Sequence, residues 1–463
     1  MAKVDGPSLE TTFAGLKFKS PIGVGAVGRP CGINVTPELH AEFLLKHAEA
    51  GAAYIYLPTC MYATEETIRK VKERAKPEKE PFLRPPSMRA LKARTPVSPY
   101  GVEGVYSLVT PLWVTPERGE VAGEHSEEVT KIVKKRKCED VRLIASIRGY
   151  GDLPDSYVDA AKKWEQLGVD LIELNLSCPA QPAMRNAVED FFEKSFPARW
   201  MGAVIGLHPD IVENITREVA KAVNIPVGVK LSPETGFPHI VGLARRIRDV
   251  GGKFISTVNC AIGIAPPDIY NRGKPLWPFT DGNPFVGATG SWLRLSSYKH
   301  VAAIARFAPG IDIAGAGGLV TPEHCVEIMM LGAQQVQLCT GIMEQGRSLL
   351  RRSHSFLKKF MVEQGYQSVD KIIGLGQQSI KYLEEVDASA GEVIAITDET
   401  KCTNCGVCAD NFCVARYMED GELKVSKENC SGCGYCMIGC PVDAISLEKV
   451  ASTPSRDRIE THE

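Results

Sequence analysis

A chain of 463 residues, 44% of them hydrophobic, can bury a sizeable core, and it is long enough for one large domain and a smaller one. Its formal net charge of −2 argues against nucleic acid as a partner, since such binders carry a basic domain or stripe. No apolar run approaches the ~18 residues of a membrane span and Met1–Thr12 lacks the order of a signal peptide, so no membrane association and a cytoplasmic location are expected.

In chain order, short apolar segments at 21–25, 52–57, 142–147, 170–176, 226–231, 253–258, 311–315 and 334–339 read as strands. Helical patterns at 37–50, 155–167, 210–223, 239–250, 292–307 and 322–331 lie between them, several with a proline or acid at the start and glycine just past the end. Eight strands alternating with helices describe a (β/α)8 TIM barrel over 1–375. Gly23-x-Gly25-x-x-Gly28 could instead suggest a dinucleotide fingerprint, but Arg-Pro-Cys-Gly follows where that motif needs an immediate helix. Three connections, 60–141, 179–209 and 261–291, are too long for simple loops and are expected to form lids or partner contacts.

Barrel enzymes place their chemistry at the C-terminal strand ends. Here these ends carry Gly25-Ala26, Thr59-Cys60, Arg148, Asn175-x-Ser177-Cys178, Lys230, Asn259-Cys260, Gly317-Gly318 and Thr340-Gly341. The ends of the seventh and eighth strands offer glycine-rich backbone of the kind that binds phosphate in this fold. Lys230 closes an otherwise apolar strand, where a cation can face negative charge developing on a cofactor ring.

Segment 376–395 reads as a polar helical stretch and linker, and 396–463 as a small α+β ferredoxin-like domain and tail. Eight of the fifteen cysteines lie there, in Cys402-x2-Cys405-x2-Cys408-x4-Cys413 and Cys430-x2-Cys433-x2-Cys436-x3-Cys440-Pro441. Two zinc sites would not need a third cysteine at x2 in each run or the final Cys-Pro. The spacing is that of two-cluster ferredoxins, in which the fourth cysteine of each run ligates the other cluster. One [4Fe–4S] cluster is therefore assigned to Cys402, Cys405, Cys408 and Cys440, and a second to Cys430, Cys433, Cys436 and Cys413. The x4 spacing before Cys413, with Val414 in place of the usual proline, requires the local loop to bulge by one residue.

A barrel with a phosphate site and a domain that carries single electrons need a cofactor able to exchange one electron or two. Flavin does this and nicotinamide does not, so FMN is expected.

Glu173-Leu174-Asn175-Leu176-Ser177-Cys178-Pro179, Gly228-Val229-Lys230-Leu231, Val258-Asn259, 315–319 and Val336-Gln337-Leu338-Cys339-Thr340 resemble the dihydroorotate dehydrogenase superfamily. With the double cysteine run, the resemblance is nearest to the FMN and iron–sulfur portion of dihydropyrimidine dehydrogenases. It implies that Cys178 is the general acid or base, that Asn175 orients substrate and cofactor, and that Lys230 lies by the flavin. It further implies that Gly290, Gly317, Gly318, Thr340 and Gly341 hold FMN, with Ala26 and Thr59 at its other side. Arg148, Asn175, Asn259 and Cys260 are the expected substrate contacts. Pro58, Arg148-Gly149-Tyr150-Gly151-Asp152 and Cys260 depart from the pattern of the pyrimidine enzymes, altering groups that would read a pyrimidine's amide edge.

The expected activity is FMN-dependent reduction, or formation, of a ring C=C bond in a small cyclic substrate, pyrimidine-like or related. Two clusters would relay electrons to or from an FAD/NAD(P)H oxidoreductase subunit or a ferredoxin, within an oligomer. The alternative is an electron-transfer or scaffold subunit whose barrel has lost catalysis.

Overall fold

Eight short segments of the first unit are buried along almost their whole length, as strands covered on both faces must be. They are β1 (Ile22–Val24), β2 (Tyr54–Tyr56), β3 (Arg142–Ile147), β4 (Leu171–Asn175), β5 (Val227–Leu231), β6 (Phe254–Thr257), β7 (Asp312–Ala316) and β8 (Gln335–Leu338). The computed structural model describes residues 6–26, 35–57, 59–74, 90–92, 105–107, 116–177, 203–264, 267–274, 285–381, 385, 392–410 and 413–450. Its two units divide between Gln378 and Ser379.

All eight strands pair in parallel and in sequence order, and β8 closes on β1. Alternate residues sort into two separate cores. Ile55, Leu143, Ile172, Leu174, Val229 and Val336 face the helices, whereas Tyr54, Tyr56, Ile144, Leu171, Phe254 and Ala314 fill the lumen. Eight helices among the described residues follow the strands in turn: α1 (Pro37–Glu49), α2 (Pro116–Arg136), α3 (Pro154–Gln166), α4 (Pro209–Ala222), α5 (His239–Asp249), α6 (Arg294–Phe307), α7 (Pro322–Met330) and α8 (Ser348–Gln364). Local signals set their ends: Thr36 caps α1 ahead of a first-turn proline, and Thr321 and His324 form a capping box on α7.

A hairpin, Thr11–Phe13 with Leu16–Phe18, precedes β1. Phe13 packs on Phe254 (ring centroids 4.9 Å apart) and Phe18 on Tyr54 (5.8 Å), while Ala14 N donates to Asp312 Oδ2 (2.6 Å). Asp312 begins β7, so the hairpin stoppers the N-terminal end of the barrel. The C-terminal end is left for chemistry.

All three long connections contain regular structure, the second a short helix at Ala203–Gly206. The first carries α2 and a helix at Glu65–Arg74, so it supplies a barrel crossover as well as a loop. Ala90–Lys92 and Val105–Ser107 from the first join Ala261–Ile264 and Phe285–Ala288 from the third in a four-stranded antiparallel sheet. Residues 179–200 of the second connection lie outside the described residues, as do Pro58 and Cys178.

The second unit is a small ferredoxin-like domain. In it β9 (Glu392–Thr397), which begins inside the stretch read as linker, pairs with β12 (Ile445–Val450), and β10 (Arg416–Glu419) pairs with β11 (Glu422–Val425). Its core is Ala395, Cys408, Cys436 and Ile445. Among the described residues no helix is long and apolar enough to cross a membrane.

Candidate functional site

Parallel strands in register bring side chains at equal depth together. Asn175 on β4 is the register partner of Lys230 on β5, and both point into the C-terminal end of the lumen at 7% and 6% exposure. Asn175 Nδ2 donates to Thr59 Oγ1 (2.8 Å), whose hydroxyl also meets Ser146 Oγ on β3 (3.0 Å). Asn175 Oδ1 accepts from Ser177 Oγ (2.8 Å) and Ser177 N (3.3 Å). Asn259 Nδ2 in turn donates to Ser177 Oγ (3.0 Å) and Ser177 O (3.2 Å), and Asn259 Oδ1 accepts from Cys260 N (2.9 Å). The ends of β2, β3, β4 and β6 are thus tied by one hydrogen-bonded string, which fixes which way each amide faces.

Lys230 has no ion pair or hydrogen bond among the described residues, although it is almost fully buried. A buried ammonium without a counter-ion is costly, so the position suits an anionic or strongly accepting ligand group. Its charge partly offsets the burial that pushes the Cys339 thiol up. Arg148 Nε is likewise buried and unsatisfied at the end of β3.

At the ends of β7 and β8 the chain runs through closely packed glycines. Gly317 and Gly318 have φ of +101° and +75°, and a Cβ on Gly318 would lie 2.4 Å from Arg294 N. A Cβ on Gly341 would lie 2.2 Å from Leu319 O. Only glycine fits at these positions, because the chain there packs closely against Arg294 and Leu319. Beside them Gly290 has φ +141°, and the hydroxyls of Thr289 and Thr340 meet at 2.9 Å. Ala26, after β1, is partly buried against the lumen core. Glycine-rich strand ends on one side, with a buried cation and an oriented amide on the other, fit a flat phosphorylated cofactor.

The strand ends named from sequence therefore form one rim, with Cys178 following Ser177 beyond the described residues. Sequence reasoning left out Ser146, Thr289 and the positioning part of Ser177. The signal for Ser146 was a lone hydroxyl in an apolar strand.

In the second unit, Cys402, Cys405, Cys408 and Cys440 line one cavity together with Gly406 and Ala444. These are the four thiols grouped by spacing. Among the described residues no three metal-binding side chains converge as a single ion would require; these four ring a space. Cys440 Sγ accepts from Ala444 N (3.2 Å) and Cys430 Sγ from Ala395 N (3.3 Å), contacts of the kind that stabilise cluster thiolates. Burial raises the Cys436 thiol, Arg416 opposes that shift, and Cys413 and Cys408 both lie near enough to raise it further.

Comparison with known proteins agrees with this architecture. The family model for dihydroorotate dehydrogenase matches residues 120–361, more than half the chain, and that for a 4Fe-4S binding domain matches residues 423–446. The catalytic subunit of dihydroorotate dehydrogenase B (NAD(+)) from Methanocaldococcus jannaschii is 30% identical over 255 residues, 55% of this chain and 74% of that subunit. The PreA subunit of NAD-dependent dihydropyrimidine dehydrogenase from Escherichia coli (strain K12) is 28% identical over 296 residues, 62% of this chain and 66% of that subunit. A crystal structure of DHODH in complex with ferulenol, from Eimeria tenella, superposes with a TM-score of 0.56 at 16% identity, covering 82% of this chain and 91% of that one, a likeness of fold. The chain belongs to the dihydroorotate dehydrogenase family, as an oxidoreductase barrel followed by a 4Fe–4S-binding domain.

Proposed function

We propose that the chain is an FMN-dependent oxidoreductase that makes or removes a ring C=C bond in a pyrimidine-like substrate, with two [4Fe–4S] clusters linking it to a redox partner. The observation that carries the reading is Lys230, a buried cation without a counter-ion among the described residues, in register with an amide already oriented by Thr59 and Ser177. FMN, when bound, supplies two-electron exchange with the substrate and one-electron exchange with the clusters.

Gly317, Gly318 and Gly341 would admit the phosphate to backbone N–H groups, with Gly290 and Thr340 beside it. Lys230 would face the electron-rich edge of the ring, favouring the state in which negative charge collects there. Ala26 and Thr59 would flank the ring's other side. Asn175 would present its amide in the orientation set by Thr59 and Ser177, and Asn259 would hold Ser177 in place. Cys178, next along the chain, would exchange a proton with the substrate carbon, as the family resemblance implies. A thiol suits that role because its ordinary pKa of ~8.5 can be brought near neutrality. Arg148 and Cys260 stand where this chain departs from the pyrimidine enzymes, so they would set which ring is accepted.

The relatives support both ends of the electron path, since two of them are named as NAD(+)- or NAD-dependent enzymes. The partner is accordingly a flavin subunit that handles NAD(P)H, or a ferredoxin. The test is denaturation of the purified protein with identification of the released flavin, then anaerobic titration with dihydropyrimidines, dihydroorotate and their oxidised forms. FMN, with bleaching or recovery of its band by one of these rings, is expected. FAD or no flavin defeats the barrel assignment, and FMN that answers to none of these rings leaves an electron-transfer subunit.

A further inference from the structure

Arg416 opens β10 and is 2% exposed, the only charged side chain among the buried polar residues described in the second unit. Arginine is almost never buried this far without an anionic partner. Its Nη1 donates to Thr397 Oγ1 (2.8 Å) and its Nη2 to Ala395 O (3.1 Å), both neutral acceptors. The ion pairs found within this unit, Lys401–Asp398 and Lys424–Glu422, are exposed and do not include it. What does lie against the guanidinium is sulfur: Cys408 Sγ is 4.0 Å from Nη1, Cys436 shares one buried core with Cys408 and Ala395, and Ala395, whose O takes Nη2, donates its N to Cys430 Sγ (3.3 Å). Cys408 belongs to the first cysteine run and Cys436 to the second, and both side chains are buried.

We propose that Arg416 is a shared counter-charge for the two iron–sulfur clusters, holding both reduction potentials up. This rests on the two-cluster reading given above. Thiolate-ligated clusters are anionic, so their net charge and their surroundings set the potential. Each reduction adds one electron to an already negative group. A fixed cation in a low-dielectric interior favours the reduced form over the oxidised one. Thr397 and Ala395 anchor the guanidinium from β9, which makes Arg416 a positioning residue with electrostatic reach to both thiol sets.

The experiment is a redox titration of the whole protein, followed by EPR and visible absorbance, in the parent, Arg416→Met and Arg416→Lys. Iron and acid-labile sulfide are counted in each. About eight of each per chain are expected in the parent; a count showing a single cluster, or none, overturns the two-cluster reading and this one with it. With full clusters in Arg416→Met, both potentials should move to more negative values, while Arg416→Lys keeps them near the parent. Unmoved potentials, a shift confined to one cluster, or a Lys variant displaced as far as the Met variant overturns the assignment and leaves the cluster reading intact. Should Arg416→Met fail to load clusters, loading of Arg416→Lys at near-parent potentials supports the charge role. Failure of both variants to load overturns it in favour of a packing role.

Discussion

At the barrel rim the hydrogen-bonded string joins residues at positions 59, 146, 175, 177 and 259, whereas the four thiols around one cavity of the second unit come from positions 402 to 440. The rim exists only because parallel strands in register deliver distant residues to the same depth. The cysteine unit is largely a matter of local spacing, with one ligand borrowed from the other run. Damage to one region should therefore leave the other's cofactor in place, and that separation can be tested.

The largest effect is expected from Cys178→Ala. If this thiol moves the proton, turnover falls by about 10²- to 10⁴-fold while flavin and iron contents stay at parent levels. Steady-state rates over a range of pH, beside cofactor analysis, check it; an unchanged rate removes Cys178 from the mechanism.

Gly318→Ala attacks the glycine-rich end of β7. Left-handed φ and the contact with Arg294 N should together cost about 3 kcal/mol, or roughly 100-fold in flavin affinity. The purified variant should lack the flavin band yet keep its iron, and retained flavin would place the cofactor elsewhere.

Acid should also separate the regions. His300 on α6 is fully buried with neither ring nitrogen partnered among the described residues, and burial lowers its pKa from 6.5 to about 4. His47 on α1 is also lowered to about 4, by burial and then by the Arg347 charge. Below pH 6.5 the unfolded chain takes up these protons before the folded barrel does. Stability is therefore full above that pH and is lost as the pH falls toward about 4, by about 3 kcal/mol for each histidine. Residues 392–450 of the second unit contain no histidine, so this stretch lacks that source of acid sensitivity. Urea midpoints at pH 7 and 4.5 should converge in His300→Phe relative to the parent; an undiminished pH difference would exclude His300 as its source.

The smallest change is Thr59→Val, which removes the acceptor for Asn175 and the contact with Ser146. A cost of about 1 kcal/mol in stability is expected, with kcat/KM falling about tenfold as the amide loses its orientation. A variant with parent kinetics would mean that Ser177 alone holds Asn175.

Much of this was legible in advance. All eight barrel strands stand within two or three residues of their expected limits, because strands covered on both faces are apolar runs that end sharply at polar residues. Of the two thiol groups expected from spacing, Cys402, Cys405, Cys408 and Cys440 do line one cavity, since ligand spacing is a property of a short stretch of chain. Helix α2 was hidden inside a stretch read as a long connection: its first half holds Gly119 and Gly123, and its buried face, Val129 and Val133, is short. The hairpin that stoppers the barrel has strands of only three residues, too brief for a periodic signal.

By itself, then, the sequence determined the barrel, the cysteine domain and the polar strand ends, because periodicity and ligand spacing are local. Only the tertiary structure decided that Ser146, Thr59, Asn175, Ser177 and Asn259 share one string, and that Lys230 and Arg416 are cations buried without a carboxylate partner among the described residues. Burial and partnership depend on what the rest of the chain brings alongside, and no local pattern of residues encodes that.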